Sequence, residues 1–450
     1  MKMNPVLAID GYKVSHREQY PQGTTKIYSN LTPRSDHHFS SPLADGKLVF
    51  FGLQGVLRWL LVDMFNDSFF NRPQQEVVEE YQRLMDSYLG PGMVSAEHIR
   101  ALHELGYLPL HIKALDEGSK VPMQVPVLTI TNTHDAFFWL VNYLETVLCS
   151  ELWKSSTNAT IAHHYRRICE RWAQQTCMDT AHLDFQCHDF SFRGMSGLHD
   201  AAQAGCGHLL SFKGTDSIPS LLYAREYYMS DSDSRDIGAS IPATEHSVMC
   251  MGQQDTELET FRRLITQVHP QGFVSIVSDT WDYWQVLTRY ARELKPLILA
   301  RQGRVVFRPD SGDPVEILCG TSALDDTSPA RSPQEKGSVE VLWEIFGGTV
   351  NEKGYKVLDP HVGLIYGDSI TLERADEILR RLAARGFASS NVVFGVGSFT
   401  YQYNTRDTFG FAMKATWGVV NGEPRTIAKA PKTDNGLKRS ARGLLRVIRN

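Results

Sequence analysis

Between residues 185 and 400, short apolar runs recur, each closing on a polar or glycine-rich cluster. They read "LDFQCHDF", "GHLLSFKGTD", "GASIPATEH", "GFVSIVSDT", "GRVVFRPDSG", "VGLIYGDS" and "NVVFGVGS", and helix-like stretches follow many of them. One such stretch, "TLERADEILRRLAARGF", repeats Leu372, Ala375, Ile378, Leu379 and Leu382 at helical spacing. Continuous Val/Ile/Phe runs alternating with helices mark parallel strands buried on both faces. Seven runs over this span suit an incomplete or irregular α/β barrel, with an open doubly wound sheet as the alternative.

The flanking segments read differently. "DGYKVSHREQYP" places Asp10 as the cap of a short helix stopped by Pro21, and "TTKIYSNLTPR" alternates like a strand. We therefore expect an N-terminal α+β domain over 1–184, a barrel over 185–399 and a basic segment over 400–450. The stretch "CGTSALDDTSPARSPQEKGS" (319–338) is the strongest candidate for a long surface loop.

Composition excludes some functions. The longest apolar stretch, "VLRWLLVDMF" at 56–65, is too short for a membrane span and carries Arg58 and Asp63. The start "MKMNPVLAIDGYKVSH" has no signal-peptide core. Seven scattered cysteines without a Cys-x-x-Cys pair read as free thiols, so a cytoplasmic location is expected. Net charge is −5, yet Lys414 to Asn450 holds nine basic residues against Glu423 and Asp434. That asymmetry points to a polyanion near the tail. Aromatics are scarce among these cations, which disfavours single-stranded nucleic acid.

In parallel α/β folds, function gathers at the C-terminal ends of strands. Here stand Asp189, Phe190, Arg193, Asp216, His246, Asp279, Arg308, Asp310, Gly367, Asp368, Gly395 and Gly397. Each alone is an ordinary turn or cap residue; together they read as a site. "YGDS" and "FGVGS" allow backbone N–H groups to approach an anion, and Arg193 and Arg308 can add phosphate contacts. Asp279, Asp310 and Asp368 can hold Mg²⁺ or ribose hydroxyls. There is no G-x-S-x-G elbow, no GxxxxGK[ST] loop and no helix-spaced histidine pair for zinc. A phosphorylated sugar held with a metal fits this set. A phenylalanine at such a mouth offers a flat face to an aromatic ring, and Asp216 can accept from an amide but repels a carboxylate.

The motifs "DGYKVSHREQYP", "FFGLQ", "HDFSFRGMSG", "FKGTDS", "PATEHS", "VSDTWD", "FRPDSGDP", "YGDSI" and "TRD", in this order along nearly the whole chain, resemble the nicotinate/nicotinamide phosphoribosyltransferase family. The resemblance implies a type II phosphoribosyltransferase: an α/β barrel plus a second domain from N- and C-terminal segments, working as a homodimer with shared sites. It implies nicotinamide mononucleotide and pyrophosphate from nicotinamide and phosphoribosyl pyrophosphate in NAD salvage, with Mg²⁺ and with ATP as a coupling but dispensable partner.

By resemblance, Phe190 and Tyr12 of the other subunit sandwich the nicotinamide, and Asp216 accepts from its carboxamide. Arg193 and Arg308 lie around the base and phosphoribosyl group. Asp310, Gly367 and Asp368 hold ribose hydroxyls, and Gly395 and Gly397 cradle the 5′-phosphate. Arg34, Arg406, Lys414 and Lys429 grip pyrophosphate or ATP phosphates, with Lys438 nearby. His246 is the phosphorylated histidine, and Asp279 and Asp310 lie at the magnesium site. The basic tail then needs neither nucleic acid nor a membrane as partner.

The chain departs from the family pattern at Ser398, a glycine position, and at Ala412, where a serine is usual. It also ends at "GLLRVIRN", before the final segment expected of the family, as either a shortened natural form or a truncated polypeptide would. The alternatives are nicotinate phosphoribosyltransferase, against which Asp216 argues, and a non-catalytic ligand-binding protein on the same fold.

Overall fold

The computed structural model describes residues 3–229, 234–324, 326, 328–429 and 441–448. The recurring apolar runs form a six-stranded sheet in the order Gly214–Thr215, Cys187–Asp189, Val392–Val396, Val362–Tyr366, Val305–Arg308, Val274–Val277. Every neighbouring pair is parallel. Val274–Val277 and Val362–Tyr366 are buried at every position, as expected of strands covered on both faces. The sheet curls, and single parallel bridges join its edges to one more segment: Ala239 to Gly214, and Ala243 to Ser275. An irregular α/β barrel results.

Two of the seven runs differ from expectation. "GHLLSFKGTD" is mostly not strand: helix Leu198–His208 runs through its first two residues, leaving a two-residue strand, Gly214–Thr215. His208 explains the difference. Its fully buried imidazole meets the Gly214 carbonyl through Nε2 (2.9 Å) and the Tyr401 hydroxyl through Nδ1 (2.6 Å). Burial there pushes its pKa down to about 4. "GASIPATEH" gives only the two bridges, because Pro242 has no N–H for a ladder.

The helix after Val362–Tyr366 is Leu372–Ala384. Thr371 caps it, and Leu372, Ala375, Ile378, Leu379 and Leu382 are its buried stripe. The polar stretch 319–338 is partly built: Ser332 forms a capping box for helix Pro333–Lys336. Arg331 and Arg385 both pair with the half-buried Glu340.

The chain divides into two units, one of residues 1–39, 45–157 and 405–450, the other of 40–44 and 158–404. The division falls inside the continuous helix Glu145–Thr176, not at the 184/185 boundary drawn from the strand pattern. The first unit carries an antiparallel sheet in the order Glu423–Thr426, Ala412–Val420, Thr24–Thr32, Leu128–Asn132, Leu110–Ala114. N- and C-terminal segments thus share one sheet. Its core includes Ile27, Leu31, Val77, Tyr81, Leu102 and Ile130.

Candidate active site

Parallel strands deliver their C-terminal residues to one end of the sheet, and the site is assembled there. Phe190, Arg193, Asp216, Arg308, Asp310, Gly367, Asp368 and Gly397 line one cavity of about 540 Å³. Asp189, wholly buried, shapes the turn that presents Phe190 and Arg193, because its Oδ1 accepts from the Ser191 N–H at 2.9 Å. Its carbonyl accepts from the Asp216 N–H at 3.0 Å. Arg193 is exposed, and among the described residues its guanidinium has no hydrogen-bond or ion-pair partner.

Three glycines are explained by close approach. A Cβ on Gly367 would lie 2.1 Å from Asp310 Oδ1, so the carboxylate occupies the space of a side chain. A Cβ on Gly395 would lie 2.6 Å from Phe190 Cδ2, placing this glycine beneath the aromatic ring. A Cβ on Gly194 would lie 2.1 Å from Ser398 Oγ. Gly397 is different: the nearest atom to a Cβ there is Asp368 Oδ1 at 3.9 Å, so it leaves room within the cavity.

A second group gathers around His246, the first residue of helix His246–Met251. Its Nδ1 meets Thr280 Oγ1 at 3.1 Å, while Nε2 stands 3.9 Å from both Asp279 Oδ1 and Asp310 Oδ2. Asp279 Oδ2 accepts from the Asp310 N–H (2.8 Å) and the Ser311 hydroxyl (2.5 Å), locking the two strand ends together. Asp279 Oδ1 and Asp310 Oδ1 are buried without a hydrogen-bond partner. Burial raises the Asp310 carboxyl, Arg308 opposes the rise, and Asp279 adds to it. Arg308 places Nε 3.4 Å from Asp310 Oδ1 and donates from Nη2 to the Thr244 carbonyl at 2.9 Å. Two adjacent carboxylates, each with a buried oxygen that receives no hydrogen bond, suit a hard cation.

Asp216 is held more firmly than the sequence suggested. His188 Nε2 donates to its Oδ1 at 2.9 Å, and Ser240 Oγ donates to the same oxygen at 2.5 Å. Burial pushes this carboxyl up, but His188, Ser240 and Arg308 outweigh it and the net direction is down. His188 and Ser240 escaped the sequence reading. The only signals were the histidine opening "HDFSFRG" and a serine in the irregular "GASIPATEH". A second cavity of about 510 Å³ runs along the inner face of the sheet from Phe190, Asp216 and Arg308 to Phe273 and Arg304 at the strand starts.

The remaining residues lie in the other unit. Tyr12, on the turn Gly11–Ser15, is 62% exposed. Lys414 pairs with Glu145 at 2.9 Å, and Glu145 also pairs with the buried Lys13 at 3.0 Å. Arg406 pairs with Asp407 at 3.1 Å, and Arg34 donates to the Gly410 carbonyl at 2.8 Å. The expected cationic group is therefore interleaved with acids, and Lys13 and Glu145 were missing from it. Lys429 follows strand Glu423–Thr426, and Lys438 lies outside the described residues.

Comparison with known proteins gives the lineage. The model of the nicotinate phosphoribosyltransferase family matches residues 185–447. The chain belongs to this family. Residues 4–100 match the N-terminal domain of nicotinamide phosphoribosyltransferase. The nicotinamide phosphoribosyltransferase of Acinetobacter baylyi is 57% identical, covering 100% of this chain and 89% of that protein. Its counterpart in Mycoplasma pneumoniae is 37% identical, covering 95% and 92%. Human nicotinic acid phosphoribosyltransferase shares the fold at 17% identity, with a TM-score of 0.55 over 92% of this chain and 75% of that one. The nicotinate-nucleotide pyrophosphorylase of Pyrococcus furiosus does so at 15% identity, with a TM-score of 0.52 over 94% and 78%. Among the described residues no helix is long and apolar enough to cross a membrane.

Proposed function

We propose that the protein is a nicotinamide phosphoribosyltransferase, joining nicotinamide to phosphoribosyl pyrophosphate to give nicotinamide mononucleotide and pyrophosphate for NAD salvage. The observation that carries the choice of base is Asp216. It is an ionised carboxylate in the cavity that Phe190 also lines, where it accepts from a carboxamide N–H and repels a nicotinate carboxylate.

Displacing pyrophosphate from the ribosyl C1 passes through an oxocarbenium-like state, so the protein's work is orientation and charge placement. Phe190 supplies the stacking face, with its ring kept in place over Gly395. Asp310 and Asp368 face the ribose hydroxyls, Gly367 gives Asp310 the space to do so, and Gly397 leaves room for the 5′-phosphate. Arg193 and Arg308 neutralise the phosphoribosyl group. Asp279 and Asp310 would hold Mg²⁺, since each keeps a buried carboxylate oxygen that receives no hydrogen bond, beside His246 and Arg308 respectively. When bound, Mg²⁺ supplies charge neutralisation for the departing pyrophosphate.

His246 is the candidate phosphoryl acceptor for ATP coupling, because its ring is half-exposed and Nε2 faces the same two carboxylates. A homodimer in the cytoplasm, with Tyr12 of one subunit closing the site of the other, accords with the exposure of Tyr12. Leu198, Ile218, Leu222, Met251 and Phe399 in the barrel unit are exposed as well. Arg34, Arg406, Lys414, Lys429 and Lys438 would then meet pyrophosphate or ATP phosphates.

The test is Asp216→Asn. Loss of preference for nicotinamide over nicotinate supports this reading, and an unchanged preference removes it. Labelled ATP should leave acid-labile label on the parent and none on His246→Ala; equal label on both would end the phosphohistidine role. Mixed dimers of Tyr12→Ala and Phe190→Ala chains should regain activity, and no recovery would count against shared sites.

A further inference from the structure

Three separate segments converge on one oxygen of Asp216. Strand Cys187–Asp189 brings His188, whose partner across the parallel ladder is Gly214, two residues before Asp216. The irregular segment that bridges the sheet edges brings Ser240. Both donate to Oδ1, and they lie 3.3 Å from each other. The His188 ring is itself fixed, buried and packed at 4.9 Å between centroids against Phe190. Among the described residues, the second carboxylate oxygen of Asp216 has no hydrogen-bond partner.

A lone carboxylate on a turn can rotate or take up a proton, and either change would blunt its discrimination. A protonated Asp216 would donate a hydrogen bond, and a nicotinate carboxylate would accept it. Two donors on Oδ1 oppose both escapes. They fix the plane of the group, and a proton on Oδ1 would face the hydrogens of His188 and Ser240. Arg308 adds positive charge on the same side of the balance.

We propose that His188 and Ser240 are positioning residues that set amide-over-acid selectivity, pinning Oδ1 of Asp216 so that Oδ2 meets the exocyclic group of the bound ring. The proposal rests on the Asp216 reading above. Neither residue need touch substrate; each acts through the aspartate. Ser240 belongs to the segment that meets the sheet edges only by single bridges at Ala239 and Ala243.

The experiment measures kcat/KM for nicotinamide and for nicotinate, each with phosphoribosyl pyrophosphate and Mg²⁺. The proteins are the parent, Ser240→Ala, His188→Gln, His188→Leu and Asp216→Asn. His188→Gln keeps a donor close to the position of Nε2, and His188→Leu removes it. The nicotinamide-to-nicotinate ratio should fall about tenfold in His188→Leu, the worth of one hydrogen bond to a charged group. It should fall several-fold in Ser240→Ala, and stay within about threefold of the parent in His188→Gln. The loss should appear in KM for nicotinamide rather than in kcat.

An unchanged ratio in Ser240→Ala and His188→Leu, with Asp216→Asn losing its preference, overturns the proposal and leaves the role of Asp216 standing. Equal losses in His188→Gln and His188→Leu also overturn it for His188, because packing and not the donor would then be responsible. A ratio unmoved by Asp216→Asn removes the underlying reading. Should His188→Leu fail to fold, Ser240→Ala decides alone, since this hydroxyl is exposed and lies outside the core.

Discussion

Gly395→Ala is a one-carbon change whose outcome follows from distances. The new Cβ would lie 2.6 Å from Phe190 Cδ2, 2.8 Å from Phe190 Cε2 and 2.8 Å from the Gly367 Cα. Carbon atoms in contact need about 3.5–4.0 Å, so the shortfall is about 1 Å against both the ring and the neighbouring strand. The Gly367 backbone is held by its N–H bond to the Pro309 carbonyl at 3.2 Å, so the ring gives way first. Overpacking of this kind costs roughly 1–3 kcal/mol of stability. A ring displaced by that distance loses its stacking on the base, worth about 1 kcal/mol, which raises KM for nicotinamide about fivefold. Steady-state kinetics on the folded variant reads the change directly. In a Phe190→Ala background the same substitution should add little to KM, because the ring it displaces is gone. A folded Gly395→Ala with the parent KM, or full additivity with Phe190→Ala, would refute the placement of the ring over this glycine.

Buried pairs and core positions elsewhere in the chain give equally definite outcomes. Glu145→Gln leaves the Lys13 ammonium, almost wholly buried, without its counter-charge; urea unfolding should show a loss of about 3 kcal/mol, and a change under 0.5 would contradict the pairing. Leu379→Ala empties a fully buried site on helix Leu372–Ala384 and should cost about 2–5 kcal/mol in the same assay. Burial, with Asp282 nearby, raises the Glu257 carboxyl to about 7 in the folded state, well above its unfolded value. Its contribution to stability is therefore complete below about pH 4.5 and lost as pH rises through 7. Glu257→Gln should gain on the parent by up to about 3 kcal/mol between pH 4.5 and 8, and a pH-independent difference would count against the shift.

Much of the barrel could be read from the chain alone because burial on both faces leaves an unbroken apolar signature, as in Val274–Val277 and Val362–Tyr366. The stripe Leu372 to Leu382 was equally plain, since a one-sided helix must repeat at its own period. What stayed hidden depends on partners distant in sequence. "GHLLSF" is apolar enough for a strand or a helix end, and only the seat of His208 decides between them. "GASIPATEH" resembles a strand, but Pro242 limits it to two bridges. The division into units is concealed because helix Glu145–Thr176 carries no break in its pattern there. At the site, strand ends identified which residues would converge, and the cavity unites nine of them. Their roles came from family resemblance, since spacing cannot tell a phosphate glycine from one beneath a ring, as Gly395 illustrates. The pairing of Lys13 with Glu145, 132 positions apart, and the two donors on Asp216 leave no local trace.

The most direct test of the account is product formation from phosphoribosyl pyrophosphate and Mg²⁺, with nicotinamide and nicotinate supplied in parallel, with and without ATP. Mononucleotide should form from nicotinamide in clear preference to nicotinate, already without ATP. Product from nicotinate alone would contradict it, keeping the fold while overturning the reading of Asp216.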